Sequence, residues 1–369
     1  MALNSVNLYR IDGSLGSLNN IQTSALNGGA IAGFRNRIIN GDMRIAQRGT
    51  SFPAAANSVN LDRWQWSKSG AMVCTVSQST DVPNSTFQSS YKVDVTTADF
   101  SISSTEYAIV IQRIEGYDVR DLIGTTFTLS FWVKSPKTGT HCVGFRNESQ
   151  DRSFIKEYSV AVANTWEYKT ITVPGGLITS GGWNWTNGAG LEVSFALATG
   201  LTYRTAANSW ATGNFLATSN QVNVMDSTAN DFFLAGVQLE VGSSATPFER
   251  RPIGMELALC QRYFWSSTVQ QGDVIATGQV LNTSAAGYLV ELPVPLRSST
   301  IVATPNNLYG TQANGTFVLF TTLVGATAEN PSKLVVSLSG ASGLVAGNAS
   351  FLVAGNTGVD GSLSVSAEF

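Results

Sequence analysis

Apolar and polar residues alternate with a period of two along much of the chain. "YKVDVTT" places Tyr91, Val93 and Val95 on one side and Lys92, Asp94 and Thr96 on the other. "FTLSFWVKS" sets Phe127, Leu129, Phe131 and Val133 against Thr128, Ser130, Trp132 and Lys134. "WEYKTITVP" repeats the pattern from Trp166 to Val173, and "LEVSFAL" and "DFFLAGVQLEV" extend it. Successive side chains of a strand point to opposite faces, so this pattern marks antiparallel strands with one face buried. Turn clusters such as "PGG", "SGGWNWTNGAG" and "ATSN" separate the strands. Short strands so divided over ~200 residues predict an antiparallel jelly-roll β-sandwich.

The pattern changes at "GMELALCQRYFW", where Pro252 precedes a run with helical spacing; a short helix is expected from Gly254 to Tyr263. Beyond it, "AAGYLVELPVPLRSSTIVAT", "GTFVLFTTLV", "SKLVVSLSG", "NASFLVAGN" and "GSLSVSAEF" read as strands of a second, smaller β-sandwich. Pro293 and Pro295 belong at an edge or a strand end, since proline cannot donate to a sheet ladder. Long neutral edges invite pairing, which favours a domain covered by neighbouring subunits. At the other end, Leu15, Leu18, Ile21 and Leu26 have a faint helical spacing that the surrounding glycines oppose. This segment is either a disordered tail or an extended arm that docks on a partner. The chain thus divides into an N-terminal arm (1–34), a jelly roll (35–249), a linker helix (250–265) and a C-terminal β domain (266–369).

Composition narrows the function. Of the 369 residues only 13% are charged, about half the ~25% usual for soluble domains. The net charge is −3. Nucleic-acid binding needs a basic stripe, and none is present; Glu249-Arg250-Arg251 reads as a solvated boundary. No apolar run approaches the roughly 20 residues that span a bilayer. The N-terminus lacks the basic start and apolar run of a signal peptide, so folding in a cytoplasm is expected. Cys74, Cys142 and Cys260 are odd in number and match no metal spacing, which predicts free buried thiols.

The segments "NRIINGDMRIAQRGTSF", "LDRW", "FFLAGVQLEVGSSATPFERRPIGMELALCQRYFW", "ELPVPLRSST" and "SAEF" together resemble a family of phage tail and tail-fibre proteins. The resemblance covers the chain from about residue 34 onward. It implies a virion structural protein: a tail fibre or related appendage subunit, homotrimeric, attached to other tail or baseplate proteins through residues 1–34, and presenting β domains to host-surface polysaccharide. Such a protein is located in the virion and uses no cofactor. A baseplate or head-decoration protein without receptor role is the structural alternative. "NGDM" and "FFLAGVQLE" also resemble the first and closing strands of carbohydrate-binding jelly rolls. Those modules often hold calcium at these two places. Arg44 and Ala235-Gly236 stand where acidic ligands would, and a cation cannot serve as a ligand, so no metal is expected. The same resemblance makes Asn40-Gly41 the entry to a first strand, with Met43 and Ile45 inward and Arg44 and Gln47 as polar edge residues.

Catalytic chemistry is not expected. His141 is the sole histidine, and on a strand it points away from its neighbour Cys142. No nucleophile elbow, phosphate loop or zinc motif occurs. Asp62, Arg63 and Trp64 read as a sandwich corner, with the charged pair satisfying backbone groups. Glycoside hydrolysis requires only two carboxylates about 5 to 10 Å apart, so an appendage-borne depolymerase is the enzymatic alternative. The acidic residues do not cluster, however. The binding candidates are aromatic. Trp183 and Trp185 share one face of a glycine-flanked loop, and Tyr203 and Trp210 follow in neighbouring loops. Their rings could stack on sugars while Asn and Thr meet hydroxyls; the alternative is that they cap the end of the sandwich or pack against another subunit.

Overall fold

A computed structural model describes residues 34–53, 55–267, 272–312, 317–330, 332–355 and 360–369. The expected N-terminal arm, apart from Phe34, lies outside the described residues. The chain forms two compact units that divide between Arg250 and Arg251.

The strands of the first unit are β1 (Ser51–Pro53), β2 (Ser58–Val59), β3 (Gln65–Ser69), β4 (Val73–Ser79), β5 (Ser90–Thr97), β6 (Tyr107–Glu115) and β7 (Phe127–Lys134). They continue with β8 (Gly139–Arg146), β9 (Arg152–Val160), β10 (Glu167–Val173), β11 (Ala189–Thr199), β12 (Trp210–Thr212) and β13 (Asp231–Val241). One sheet has the order β1-β4-β5-β13-β7-β10 and the other β12-β9-β8-β11-β6-β3-β2. From β5 onward the chain crosses repeatedly between them, the arrangement of a jelly roll. The alternation of the sequence gives the core directly. Tyr91, Val93 and Val95 share one buried core with Val110 and Ile114, and Phe131 meets Phe195 edge-on across the sandwich, 5.0 Å between centroids. Trp64 and Trp66 are fully buried in the same core.

The segment around Asn40 is not a strand. Met43 and Ile45 are buried, as an inward-facing strand would require, but Asn40 and Met43 have φ of 55° and 59°. The backbone turns back on itself instead. The Asn40 side chain donates to Ile45 O and accepts from Ile45 N, closing a loop. Gly41 is required here, since a Cβ would lie 2.2 Å from Val237 O. Gln47 is no edge residue either; its backbone and side-chain N–H groups both donate to the buried Asp62 carboxylate. The "LDRW" corner closes this loop: Trp64 donates to Asn40 O at 2.9 Å, and Arg63 donates to Arg113 O.

His141 is buried and stacks on Tyr158, its Nε2 against Lys137 O, while Cys142 lies on the opposite face of β8. Burial lowers the His141 pKa. All three thiols are free and buried. Burial pushes Cys74 up to about 12 and raises the Tyr91 and Tyr158 phenols. An acid whose folded pKa is raised stabilises the fold fully below its unfolded value, near 8.5 for a thiol, and that contribution is lost as pH rises toward the folded value. The urea midpoint is therefore expected to fall between about pH 8 and about pH 10.5, with a smaller fall in Cys74→Ala. Equal midpoints at the two pH values would contradict this.

The second unit begins with α1 (Ile253–Gln261), which belongs to that unit. Glu256 and Cys260 form its buried side, and Arg251 pairs with Glu256 at 3.4 Å. Its strands are β14 (Phe264–Ser266), β15 (Val274–Asn282), β16 (Ala285–Glu291), β17 (Val302–Asn306), β18 (Leu308–Gln312), β19 (Phe317–Leu319), β20 (Thr322–Asn330), β21 (Lys333–Ser339), β22 (Ala349–Ala354) and β23 (Ser362–Ser366). They form sheets ordered β19-β18-β22-β15-β16-β21-β20 and β14-β23-β17 around Tyr288, Leu334, Val336, Leu352 and Val365. Pro293 and Pro295 follow the end of β16, and Pro305 sits on edge strand β17, where the missing donor breaks no ladder. Arg297 of "PLRSST" donates to Ala367 O and Glu368 O and lies 4.2 Å from the Phe369 ring centroid. The "LRSST" and "SAEF" segments are thus one structural feature.

Candidate functional site

The structure brings three of the four expected aromatics together. Trp183 and Trp185 stack at 5.2 Å and 11°, and Trp210 meets Trp183 edge-on at 5.6 Å. Their position explains the stacking. Residues two apart on an extended loop share a face, and β12 brings Trp210 against Phe154 of β9. The Trp183 and Trp210 indole N–H groups donate to Ser180 O and Gly176 O. Their rings pack on one another and against the core. Tyr203 stands apart. It lies edge-on to Tyr107 at 5.0 Å, over a small cluster of Ile109, Ile111, Ile155 and Leu216 on the outer face of the seven-stranded sheet.

That outer face is largely closed by the segment around residues 200–218. Beneath and beside it, register places Glu192 of β11 opposite Arg113 of β6 and Arg146 of β8. Arg146 donates through Nε to Glu192 at 2.8 Å, and Arg113 pairs with the other carboxylate oxygen at 3.1 Å. Glu192 and Arg146 are each only 3% exposed. Arg146 also donates to Asn214 of the covering segment. This triad ties strands and cover together.

The other sheet presents a groove. Its outer face carries Trp132 of β7 directly opposite Tyr168 of β10, with rings 5.3 Å apart. Phe87, Phe248 and Arg250 form the facing wall, Gly236 the floor, and Thr86 and Ser130 supply hydroxyls; the volume is about 440 Å³. Gly236 has φ +58° at a bulge in β13, and a Cβ there would lie 2.7 Å from Phe87 and 3.2 Å from Trp132. Glycine keeps the two walls close. The far wall is held by buried polar residues of β13. Gln238 donates to Thr246 and Pro247 carbonyls and accepts from Glu249 N, and Glu240 accepts from Thr246. The Glu249 carboxylate in turn accepts from Arg35 N and Asn36 N. The strap so fixed carries Phe248, which meets Phe87 at 5.5 Å, and Arg250, whose guanidinium lies over both rings. The "GVQLEVG…TPFERR" block therefore builds one wall of the groove. Glu249-Arg250-Arg251 marks the boundary expected of it, but only Arg250 is exposed; Glu249 and Arg251 are bonded.

No protein-family model and no curated protein matches the sequence. Among solved structures, the chain is similar to the enzymatically active domain of bacteriophage CBA120 tailspike protein 4, at 19% identity and TM-score 0.31, over 56% of this chain and 21% of that one. It is also similar to a putative sugar binding protein from Bacteroides thetaiotaomicron, at 12% identity and TM-score 0.32, over 56% and 100%. A family 11 carbohydrate-binding module of Clostridium thermocellum gives 11% identity and TM-score 0.28, over 52% and 99%. The chain spans about a fifth of the tailspike chain it matches. The functional reading rests on the groove itself.

Local sequence pattern does not reveal the groove. Trp132 stood on the polar side of its strand, which was the available signal. Beside the groove, Lys134 and Lys92 lie 4.8 and 5.7 Å from the Phe233 ring centroid, and each is ion-paired, with Asp81 and Asp231. Burial raises the Asp81 carboxyl, but hydrogen bonds from Lys134 and Trp166 outweigh it and hold the pKa below the usual range. Arg44 pairs with buried Asp42. Among the described residues no group of three acidic, His or Cys side chains could hold a metal.

Proposed function

We propose that this chain is a phage appendage subunit that binds host-surface saccharide through the groove of its first unit. The observation that carries the binding role is the aromatic groove: Trp132 and Tyr168 offer adjacent ring faces at a concave site, with Ser130 and Thr86 hydroxyls beside them. Apolar sugar faces stack on such rings while hydroxyls find polar partners. The lining holds no carboxylate, and glycoside hydrolysis uses two, which favours holding the sugar over cleaving it. The virion role, attachment through residues 1–34 and the trimeric state follow from the resemblance to tail-fibre proteins. Exposed apolar side chains of the second unit agree with coverage by sister subunits. Phe317, Phe351 and Leu289 lie in register across its large sheet and are 47%, 49% and 44% exposed. Several weak sites in one assembly would then act together through effective concentration.

Trp132→Ala is expected to weaken binding to envelope polysaccharide of the bacterial host at least tenfold, about 1.4 kcal/mol. Wild-type affinity in this variant would remove the groove from the account.

A further inference from the structure

The groove carries one cation without a counter-charge. Arg250 is exposed, and its guanidinium stands 4.7 Å from the Phe87 centroid and 5.6 Å from that of Phe248. Aromatic rings hold this planar group by its face and leave its N–H fork free at the edge. Among the described residues no hydrogen bond or ion pair engages it. The neighbouring cations on this face are neutralised, Lys134 by Asp81 and Lys92 by Asp231. No acidic residue lines the groove. The one charged side chain of the lining is thus a cation.

We propose that the ligand is an acidic saccharide, a sugar bearing a carboxylate. The sugar ring stacks on Trp132 and Tyr168, and its carboxylate takes two parallel N–H bonds from Arg250. A guanidinium fork matches a carboxylate in geometry, and a charge-assisted bidentate pair is stronger than a neutral hydrogen bond. A neutral saccharide would use the rings alone. This inference rests on the reading of the groove as a saccharide site.

The test is isothermal titration of the full chain with matched pairs: tri-galacturonate and its methyl ester, and glucose 1-phosphate and glucose. Tri-galacturonate is expected to bind at least tenfold tighter than its ester. Arg250→Gln is expected to erase that difference, with an unchanged urea midpoint checking that the fold is kept. Arg250→Lys keeps the charge without the fork and should retain only part of the preference. Equal binding of acid and ester, unchanged in Arg250→Gln, overturns the acidic ligand and leaves the saccharide site standing. A preference confined to the phosphate pair overturns the carboxylate. Self-association that Arg250→Gln abolishes assigns the groove to a second copy and overturns the proposal. Binding of none of the four overturns both the proposal and the reading beneath it.

Discussion

Glu192→Ala is expected to lower the stability of the first unit by about 3–5 kcal/mol, the range for breaking a buried ion pair from one side. The reason is asymmetry. In the wild type two guanidinium groups share one carboxylate, and Arg146 and Glu192 side chains are both 4% exposed. Removing the carboxylate leaves Arg146 in low dielectric with only the Asn214 carbonyl to accept from it. Asn214 of the covering segment, itself bonded to Gln150, is then the one side chain left to position the Arg146 guanidinium. Glu192→Gln retains an acceptor and should fall less. Tryptophan fluorescence during urea unfolding is a suitable readout, since seven of the eight tryptophans lie before residue 251. A loss below about 1 kcal/mol would show that solvent screens the triad as it does surface pairs.

Trp64→Ala is expected to be equally severe, about 3–5 kcal/mol, because it opens a cavity and removes a bond together. The indole is fully buried and lies 6.3 Å from both Tyr91 and Phe195, so it touches both sheets. Its N–H donates to Asn40 O, the carbonyl at the turn of the 34–50 loop. Trp64→Phe keeps most of the volume and loses the donor. Since Asn40 O still accepts from Met43 N, the Phe variant should lose markedly less. An Ala variant as stable as the Phe variant would mean that the cavity collapses and that the indole is not what joins the loop to the core.

The strands were legible because burial of one sheet face enforces a period of two. β5 and β7 show their buried and open sides in the sequence itself. The loop at 34–50 misled for a physical reason. Met43 and Ile45 are spaced like strand residues, but the positive φ at Asn40 and Met43 depends on contacts with Val237 and Asp62, which are distant in sequence. The groove was hidden likewise. Trp132 becomes a site only because antiparallel register sets it beside Tyr168 and a strap from residues 243–250 brings Phe248 and Arg250 across. Gln238 and Glu240 look like solvent-facing residues of β13, and it is the strap they hold that buries them. Trp183 and Trp185, two residues apart, stack on one another. What local pattern could not show is that their face would be filled by the rings themselves and by Trp210.

The most direct measurement is a titration of the chain, labelled with ¹⁵N at its tryptophan indoles, with oligosaccharide from the host envelope. The account predicts that the Trp132 indole signal, assigned by its loss in Trp132→Phe, shifts and saturates while those of Trp183, Trp185 and Trp210 stay in place. Movement of those three with Trp132 unmoved, or no movement at any tryptophan, would contradict it.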